Sequence, residues 1–240
     1  MRSSAVVSGV LFLVLLVLVA VGWSPLLSLD RSIAETLHRD AVARPGVTEF
    51  NRFLSDWVWD PWTMRALAAV TVGLLWWRRE RRVALWVAGT SLVAVGLQQG
   101  LKSLVGRERP QWPDPVDSAQ FAAFPSGHAM TAMVTCGLIL WVLALHWREE
   151  WRGWGVLACT AVVSVLGVGW TRVYLGVHWA SDVLGGWLLG WCCVAVAVLT
   201  YRWSERRGER NGGTGGEGRG RPDGTSPAPG TAGRRMGDTR

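Results

Sequence analysis

His178 and Asp182 stand four residues apart in TRVYLGVHWASD, a spacing that puts two side chains on one face of a helix. A carboxylate so placed accepts a hydrogen bond from one imidazole nitrogen and fixes the tautomer. The other nitrogen is then free to act as base or nucleophile. Arg172 lies in the same stretch. Two further stretches carry matching chemistry: FPSGHAM, with Ser126, Gly127 and His128, and LKSLVGRERP, with Lys102, Arg107 and Arg109. Pro125-Ser126-Gly127-His128 opens an apolar block and reads as a helix start. Serine is a favoured cap, glycine lets a ligand approach the backbone, and free amides at the positive end of a helix dipole bind anions. Lys102, Arg109 and Arg172 add cations, the arginines as forks that suit phosphate oxygens and the lysine as a mobile point charge. His128 is a second imidazole, so one histidine can attack phosphorus while the other protonates the departing oxygen. The set describes a site for a compact, highly charged anion, with phosphate the obvious candidate.

Three separated stretches act together only if the chain brings them to one place. Half of the 240 residues are hydrophobic and 18% are charged, and mean hydropathy is +0.21. The apolar residues fall in long blocks, which predicts a membrane protein and an all-α fold. Six blocks are candidates to span the bilayer: residues 5–23, 61–77, 83–101, 126–145, 154–170 and 180–201. The second is short and contains Arg65, which must snorkel toward the interface. The first exceeds an ordinary signal-peptide core of about 7–15 residues, which favours a retained span. With six spans, the connections after the third and fifth emerge on one face, and these hold all three polar stretches. Arg78, Arg79, Arg81 and Arg82, then Arg148 and Arg152, then Arg202, Arg206, Arg207 and Arg210 mark the opposite face as cytoplasmic. Both termini are thus expected inside the cell and the polar stretches outside.

The net charge of +7 is explained by this orientation rather than by nucleic-acid binding. Many of the 17 tryptophans lie near block ends, among them Trp23, Trp62, Trp76, Trp77, Trp147, Trp154 and Trp170, as expected of headgroup-level indoles. Cys136, Cys159, Cys192 and Cys193 lie inside apolar blocks without disulfide or zinc spacing and read as packing residues. The connection over residues 24–60 shows one weak helical signal, at residues 32–39. Residues 1–203 form the membrane domain. Residues 204–240, rich in Gly, Arg, Pro, Ser and Thr, have little to bury and are expected to be a disordered cytoplasmic tail.

Taken in order, the three stretches resemble the type 2 phosphatidic acid phosphatase (PAP2) superfamily, which also contains vanadium-dependent haloperoxidases. The family pattern is K-x6-R-P, then P-S-G-H, then S-R-x5-H-x3-D. Lys102 is followed by six residues and then Arg109-Pro110; Pro125 to His128 complete the second motif; Arg172, His178 and Asp182 keep the third spacing. Thr171 stands where the family usually has serine and keeps the hydroxyl. The motifs cover residues 102–182, and the six-span layout extends the likeness to residues 1–201. The resemblance implies a six-transmembrane helix bundle with a PAP2/haloperoxidase-like core that acts as a metal-independent phosphatase on a lipid phosphate or diphosphate, with no cofactor. It implies His178 as nucleophile, Asp182 as its orienting partner and His128 as acid and then base. Lys102, Arg109, Arg172, Ser126 and the Gly127 amide would hold phosphoryl oxygens. Arg107 falls in the variable part of the first motif and reads as a rim cation. Val173, Tyr174, Leu175 and Val177 would pack the bend against the bilayer rim.

Singly, each stretch has a plainer reading: a structural His–Asp pair, a capped helix start, interfacial anchors. None of these predicts convergence on one face. The competing functions are a carrier that binds phosphate without hydrolysing it, a haloperoxidase holding vanadate, and a metal site built on His178 and Asp182. Undecaprenyl diphosphate, phosphatidate and phosphatidylglycerophosphate all fit as substrates.

Overall fold

The computed structural model describes residues 1–146 and 153–213, with side chains as far as Gly208. Its regular structure is helical. The α-helices are α1 (Arg2–Ala20), α2 (Ser24–Ala43), α3 (Pro45–Phe53), α4 (Pro61–Trp77), α5 (Arg81–Val105), α6 (Gly127–His146), α7 (Trp154–Tyr174) and α8 (Ala180–Gly213), with a π-helical turn at Leu54–Val58 after α3. Among the described residues, α1, α5, α6, α7 and α8 are long and apolar enough to cross a membrane. The weakest of the six expected spans is α4, with 17 residues and a length of about 26 Å. Trp62 and Trp77 stand exposed at its two ends, where a bilayer would place its headgroups. The Arg65 guanidinium leans back over the Trp62 ring at 5.1 Å, the snorkelling expected of it.

Local chemistry sets the helix ends. Asp60 caps α4 by accepting from the Trp62 and Thr63 amides at 2.7 and 3.3 Å, with Pro61 in the first turn. Gly106 ends α5 in the left-handed conformation at φ 59°, which glycine adopts without a Cβ clash. Lys102 thereby sits in the last turn of α5, next to the loop that follows.

The first long connection differs from expectation. In place of one short helix over residues 32–39, α2 runs for 20 residues and α3 and the π-turn follow. The physical reason lies in the buried face of α2, which is Asp30, Ala34, His38 and Ala41. The spacing is helical, but two of the four residues are polar, so hydropathy alone conceals the amphipathic pattern. The α8 helix continues as far as Gly213, and residues 214–240 of the expected tail lie outside the described residues. The chain divides into two units, Met1–Arg202 and Trp203–Arg240. In the second, Arg207 lies over the Trp203 ring at 3.7 Å.

The first unit buries one main apolar cluster. Phe12, Leu15 and Val19 of α1 meet Val87 of α5, Met130, Leu138 and Trp141 of α6, and Leu189, Val194 and Val198 of α8, with Phe124 at one end. Cys136, Cys159, Cys192 and Cys193 are free thiols on α6, α7 and α8. Small residues let the helix backbones come close, the usual means of joining helices in lipid. A Cβ added to Gly186 of α8 would stand 2.6 Å from the Ser126 carbonyl oxygen and 3.1 Å from the Met130 amide, whereas one on Gly96 meets nothing within 4 Å. Gly186→Ala is therefore expected to lower thermal stability in detergent by about 1–3 kcal/mol or more. Gly96→Ala should be neutral or gain about 0.5–1 kcal/mol from helix propensity. Equal melting temperatures for the two variants would contradict the close α6–α8 approach.

Candidate active site

The three polar stretches meet. Lys102 comes from the last turn of α5, Arg109 from the loop after it, Ser126 to His128 from the start of α6, Arg172 from the last turn of α7, His178 from the turn at 175–179 and Asp182 from the start of α8. The starts of α6 and α8 are joined directly, since the Ser126 amide donates to the Asp182 carbonyl at 2.9 Å. Gly176, at φ 69°, turns the chain between α7 and α8. The Trp112 indole packs where a Cβ at Gly176 would be and donates to its carbonyl at 2.8 Å.

His178 and Asp182 are almost completely buried, at 1% and 0% exposure, so their hydrogen bonds must come from protein. His178 Nδ1 lies 3.3 Å from Asp182 Oδ2, and that oxygen also accepts from the Trp179 amide at 2.9 Å. On the other side of the ring, Nε2 lies 3.1 Å from Arg109 Nη1. A guanidinium has no acceptor, so Nε2 must offer its lone pair and the proton must sit on Nδ1, facing the carboxylate. Burial, then Arg109, Arg172, Lys102 and Arg107, push the His178 pKa well below the usual imidazole value. The ring is thus neutral, correctly tautomerised for attack through Nε2, and surrounded by cations.

Arg109 is fixed by the Phe121, Val177 and Gln120 carbonyls at 2.8, 2.5 and 3.0 Å, and burial lowers its pKa. Lys102 Nζ donates to the Ala122 carbonyl. Arg172, at 4% exposure, donates from Nη1 to Ser55 Oγ at 2.8 Å and lies 3.8 Å from Asp117. Its Nε is buried with no hydrogen-bond partner, a donor that an anion would satisfy. Ser126 is fully buried and its hydroxyl accepts, at 3.5 Å, from the Ala129 amide, which is the capping role. The amides of Gly127 and His128, in the first turn, have no acceptor within the helix. His128 is half-buried and lies within electrostatic range of Arg172, His178, Arg109 and Lys102.

Several expectations change. The Thr171 hydroxyl bonds back to the Val168 carbonyl at 3.0 Å, so it serves its own helix. Val173, Tyr174, Leu175 and Val177 are buried within protein, not laid against lipid, because α2 and α3 cover this end of α7. Tyr174 donates to Asp40 of α2 at 3.2 Å. Arg107 is no rim cation. Its side chain is 10% exposed and bonds Asp182 Oδ1 at 2.6 Å and Asp30 Oδ2 at 2.8 Å. Asp30 and Ser55 were also missed, since both sit in the first connection and match no motif. The signal available for Asp30 was its place in the 4-4-3 spacing of the buried α2 face. Among the described residues, no group of three or more His, Cys, Asp or Glu converges.

The geometry defines a multi-pass helical membrane protein with a buried cationic site built around an oriented histidine. The profile of the PAP2 superfamily matches residues 83–208, just over half of the chain, and the protein belongs to that superfamily. Among curated proteins it is similar to phosphatidylglycerophosphatase B of Bacillus subtilis, 33% identical over 126 residues, covering 52% of this chain and 60% of the relative. It is also similar to undecaprenyl-diphosphatase of Sulfolobus acidocaldarius, 28% identical over 149 residues, covering 58% and 62%. The chain thus matches less than two thirds of the length of these relatives. Among solved structures, the fold is like that of a transmembrane PAP2-type phosphatidylglycerolphosphate phosphatase from Bacillus subtilis, with a TM-score of 0.73, 24% identity, and coverage of 83% of this chain and 96% of that one.

The depressed His178 pKa has a measurable consequence for stability. An unfolded chain protonates this imidazole near pH 6.5, whereas the folded protein holds it neutral at that pH. Its contribution is therefore present above about pH 6.5 and is lost as pH falls below it. Melting temperatures in detergent from pH 8 to 5 should fall more steeply for the wild type than for His178→Asn. Parallel curves would show that the folded ring titrates normally.

Proposed function

We propose that the protein hydrolyses a lipid phosphate or diphosphate at the outer membrane face, through a covalent phosphohistidine on His178. The observation that carries this reading is the His178 ring held between Asp182 on Nδ1 and Arg109 on Nε2. Nε2 attacks phosphorus, forming the P–N bond as the P–O bond to the lipid breaks. His128 passes a ring proton to the departing oxygen. In the second step His128 takes a proton from water, the water oxygen attacks phosphorus, and the P–N bond breaks to release phosphate. Asp182 balances the charge that develops on the His178 ring. Arg109 leaves Nε2 for the incoming phosphoryl oxygens, which Lys102, Arg172 and the start of α6 at Ser126 and Gly127 also bind. The unpartnered Arg172 Nε suits this role. Fixed cations and amides supply the electrostatic stabilisation, so the scheme requires no metal and no cofactor.

The membrane setting supports the substrate class. A site at the ends of spanning helices can take a headgroup while the acyl or prenyl chain stays in the bilayer. The relatives named as a phosphatidylglycerophosphatase and an undecaprenyl-diphosphatase support phosphatidylglycerophosphate and undecaprenyl diphosphate; phosphatidate has the same reacting group. For topology, Arg78 and Arg79 between α4 and α5, with Arg81 and Arg82 opening α5, support six spans with both termini cytoplasmic.

Purified protein is expected to release phosphate from at least one of these three lipids, and to do so in EDTA. His178→Ala should lower kcat by about a thousandfold or more, and His128→Ala by about 10²–10⁴. Both should retain the fold, seen as an unchanged helical spectrum. Brief reaction with labelled substrate should trap an acid-labile adduct. Full activity in His178→Ala would rule out the phosphohistidine, and binding without turnover by the wild type would favour a carrier. A reporter fused after Arg202 should give a cytoplasmic signal, and a signal from outside would invert the topology.

A further inference from the structure

We propose that Asp30 and Arg107 are positioning residues for the reaction. Asp30 anchors Arg107, and Arg107 holds the Asp182 carboxylate in the rotation that presents Oδ2 to His178. This rests on the reading of His178 as nucleophile.

The two oxygens of Asp182 are divided between two tasks. Oδ2 takes the Trp179 amide at 2.9 Å and faces His178 Nδ1 at 3.3 Å. Oδ1 takes Arg107 Nη1 at 2.6 Å. A carboxylate bonded on one side only could rotate about its Cβ–Cγ bond, and the imidazole would lose its acceptor. Arg107 closes that freedom, provided Arg107 is itself held. Nη1 also donates to Ser181 Oγ at 2.7 Å and Nη2 to Asp30 Oδ2 at 2.8 Å. The guanidinium lies 5.7 Å from the Trp179 ring centroid, and that indole donates to the Glu108 carbonyl at 2.9 Å. Asp30 in turn accepts from the Ser181 amide at 2.9 Å through Oδ1 and from Ser181 Oγ through Oδ2. A continuous chain therefore runs from α2 through Arg107 to Asp182 and His178.

Charge points the same way. Asp30 and Asp182 are 2% and 0% exposed, so neither carboxylate can rely on water. Arg107 compensates both. Without it, two buried carboxylates would share one site with no cation between them, a costly arrangement. A protonated Asp182 neither orients His178 nor balances its charge. Loss of Asp30 has the opposite electrostatic sign: one negative charge disappears and the cation over Asp182 is no longer shared. The other groups facing the His178–Asp182 pair are Lys102 of α5, Arg109 of the loop, His128 of α6 and Arg172 of α7, and all stay in place in either variant.

The two variants should thus move the acid limb of the pH–rate profile in opposite directions, whichever of His178 and Asp182 sets it. Removing a positive charge makes either group easier to protonate, and removing a negative charge makes it harder. The measurement is kcat and KM against pH, with whichever of phosphatidate, phosphatidylglycerophosphate or undecaprenyl diphosphate the wild type turns over in detergent. Arg107→Gln is expected to lower kcat by about 10- to 100-fold, the scale of outer-shell partners of oriented histidines, and to move the acid limb to higher pH. Asp30→Asn is expected to lower kcat less and to move the limb to lower pH. KM should stay within about twofold in both. Arg107→Lys keeps the charge and should restore the limb position without the full rate; with Asp30→Asn it carries the test if Arg107→Gln fails to fold. Limbs that stay at the wild-type pH, with only melting temperature or rate reduced, would make the network a structural ion pair and overturn the proposal, even where the acid-labile adduct is still trapped. Activity retained in His178→Ala would remove the nucleophile reading and this proposal with it.

Discussion

The joint between the starts of α6 and α8 is the contact on which the rest of this structure depends. The Ser126 amide donates to the Asp182 carbonyl at 2.9 Å, and Gly186 lies so near the Ser126 carbonyl that no side chain would fit. In a bilayer, helices gain little from burying apolar faces against one another, because lipid is as apolar as they are. Close backbone contact and hydrogen bonds between helix ends must do that work. Here they also bring the α6 start, which carries His128, to the α8 start, which carries Asp182 and follows the His178 turn, so one contact serves both the fold and the site.

Around that joint, charge is distributed unevenly. Arg107 is matched by two carboxylates, Asp30 and Asp182. Lys102 and Arg109 are held mainly by carbonyls, and Arg172 by Ser55 and a longer approach to Asp117. Carbonyls orient a cation without neutralising it. The neighbourhood of His178 Nε2 therefore keeps excess positive charge, whereas the neighbourhood of Nδ1 is negative. That polarity across one imidazole suits an anion arriving on the Nε2 side, and it comes from which partner each cation has rather than from the number of cations.

Much of this was legible in the residues. The Pro125–His128 helix start and the parity of the apolar blocks were enough to expect the convergence, since capping and span counting are local properties; the His178–Asp182 contact forms as expected, but between a turn and the helix after it rather than along one helix face. What stayed hidden was the contribution of the first connection. Asp30, Ser55 and Asp40 belong to helices whose buried face is small or polar, so hydropathy does not distinguish them from solvated loop. Arg107 was misread for a related reason: its partner Asp30 is 77 residues away, and no local pattern announces such a pair. The tryptophans divide in the same way. Trp62 and Trp77 stand exposed at helix ends as composition suggests, whereas Trp112 and Trp179 are drawn inward to brace the site loops.

By itself the sequence determined the membrane-spanning character of the chain, the helix starts and the residue types at the site, because apolar length, capping and side-chain chemistry act over a few residues. Only the tertiary structure decided which nitrogen of His178 faces the carboxylate, which arginine is neutralised and which is left to meet an anion, and that α2 is part of the site's support. Those outcomes depend on which group each buried charge finds as its partner, and burial makes that choice costly to leave unmet.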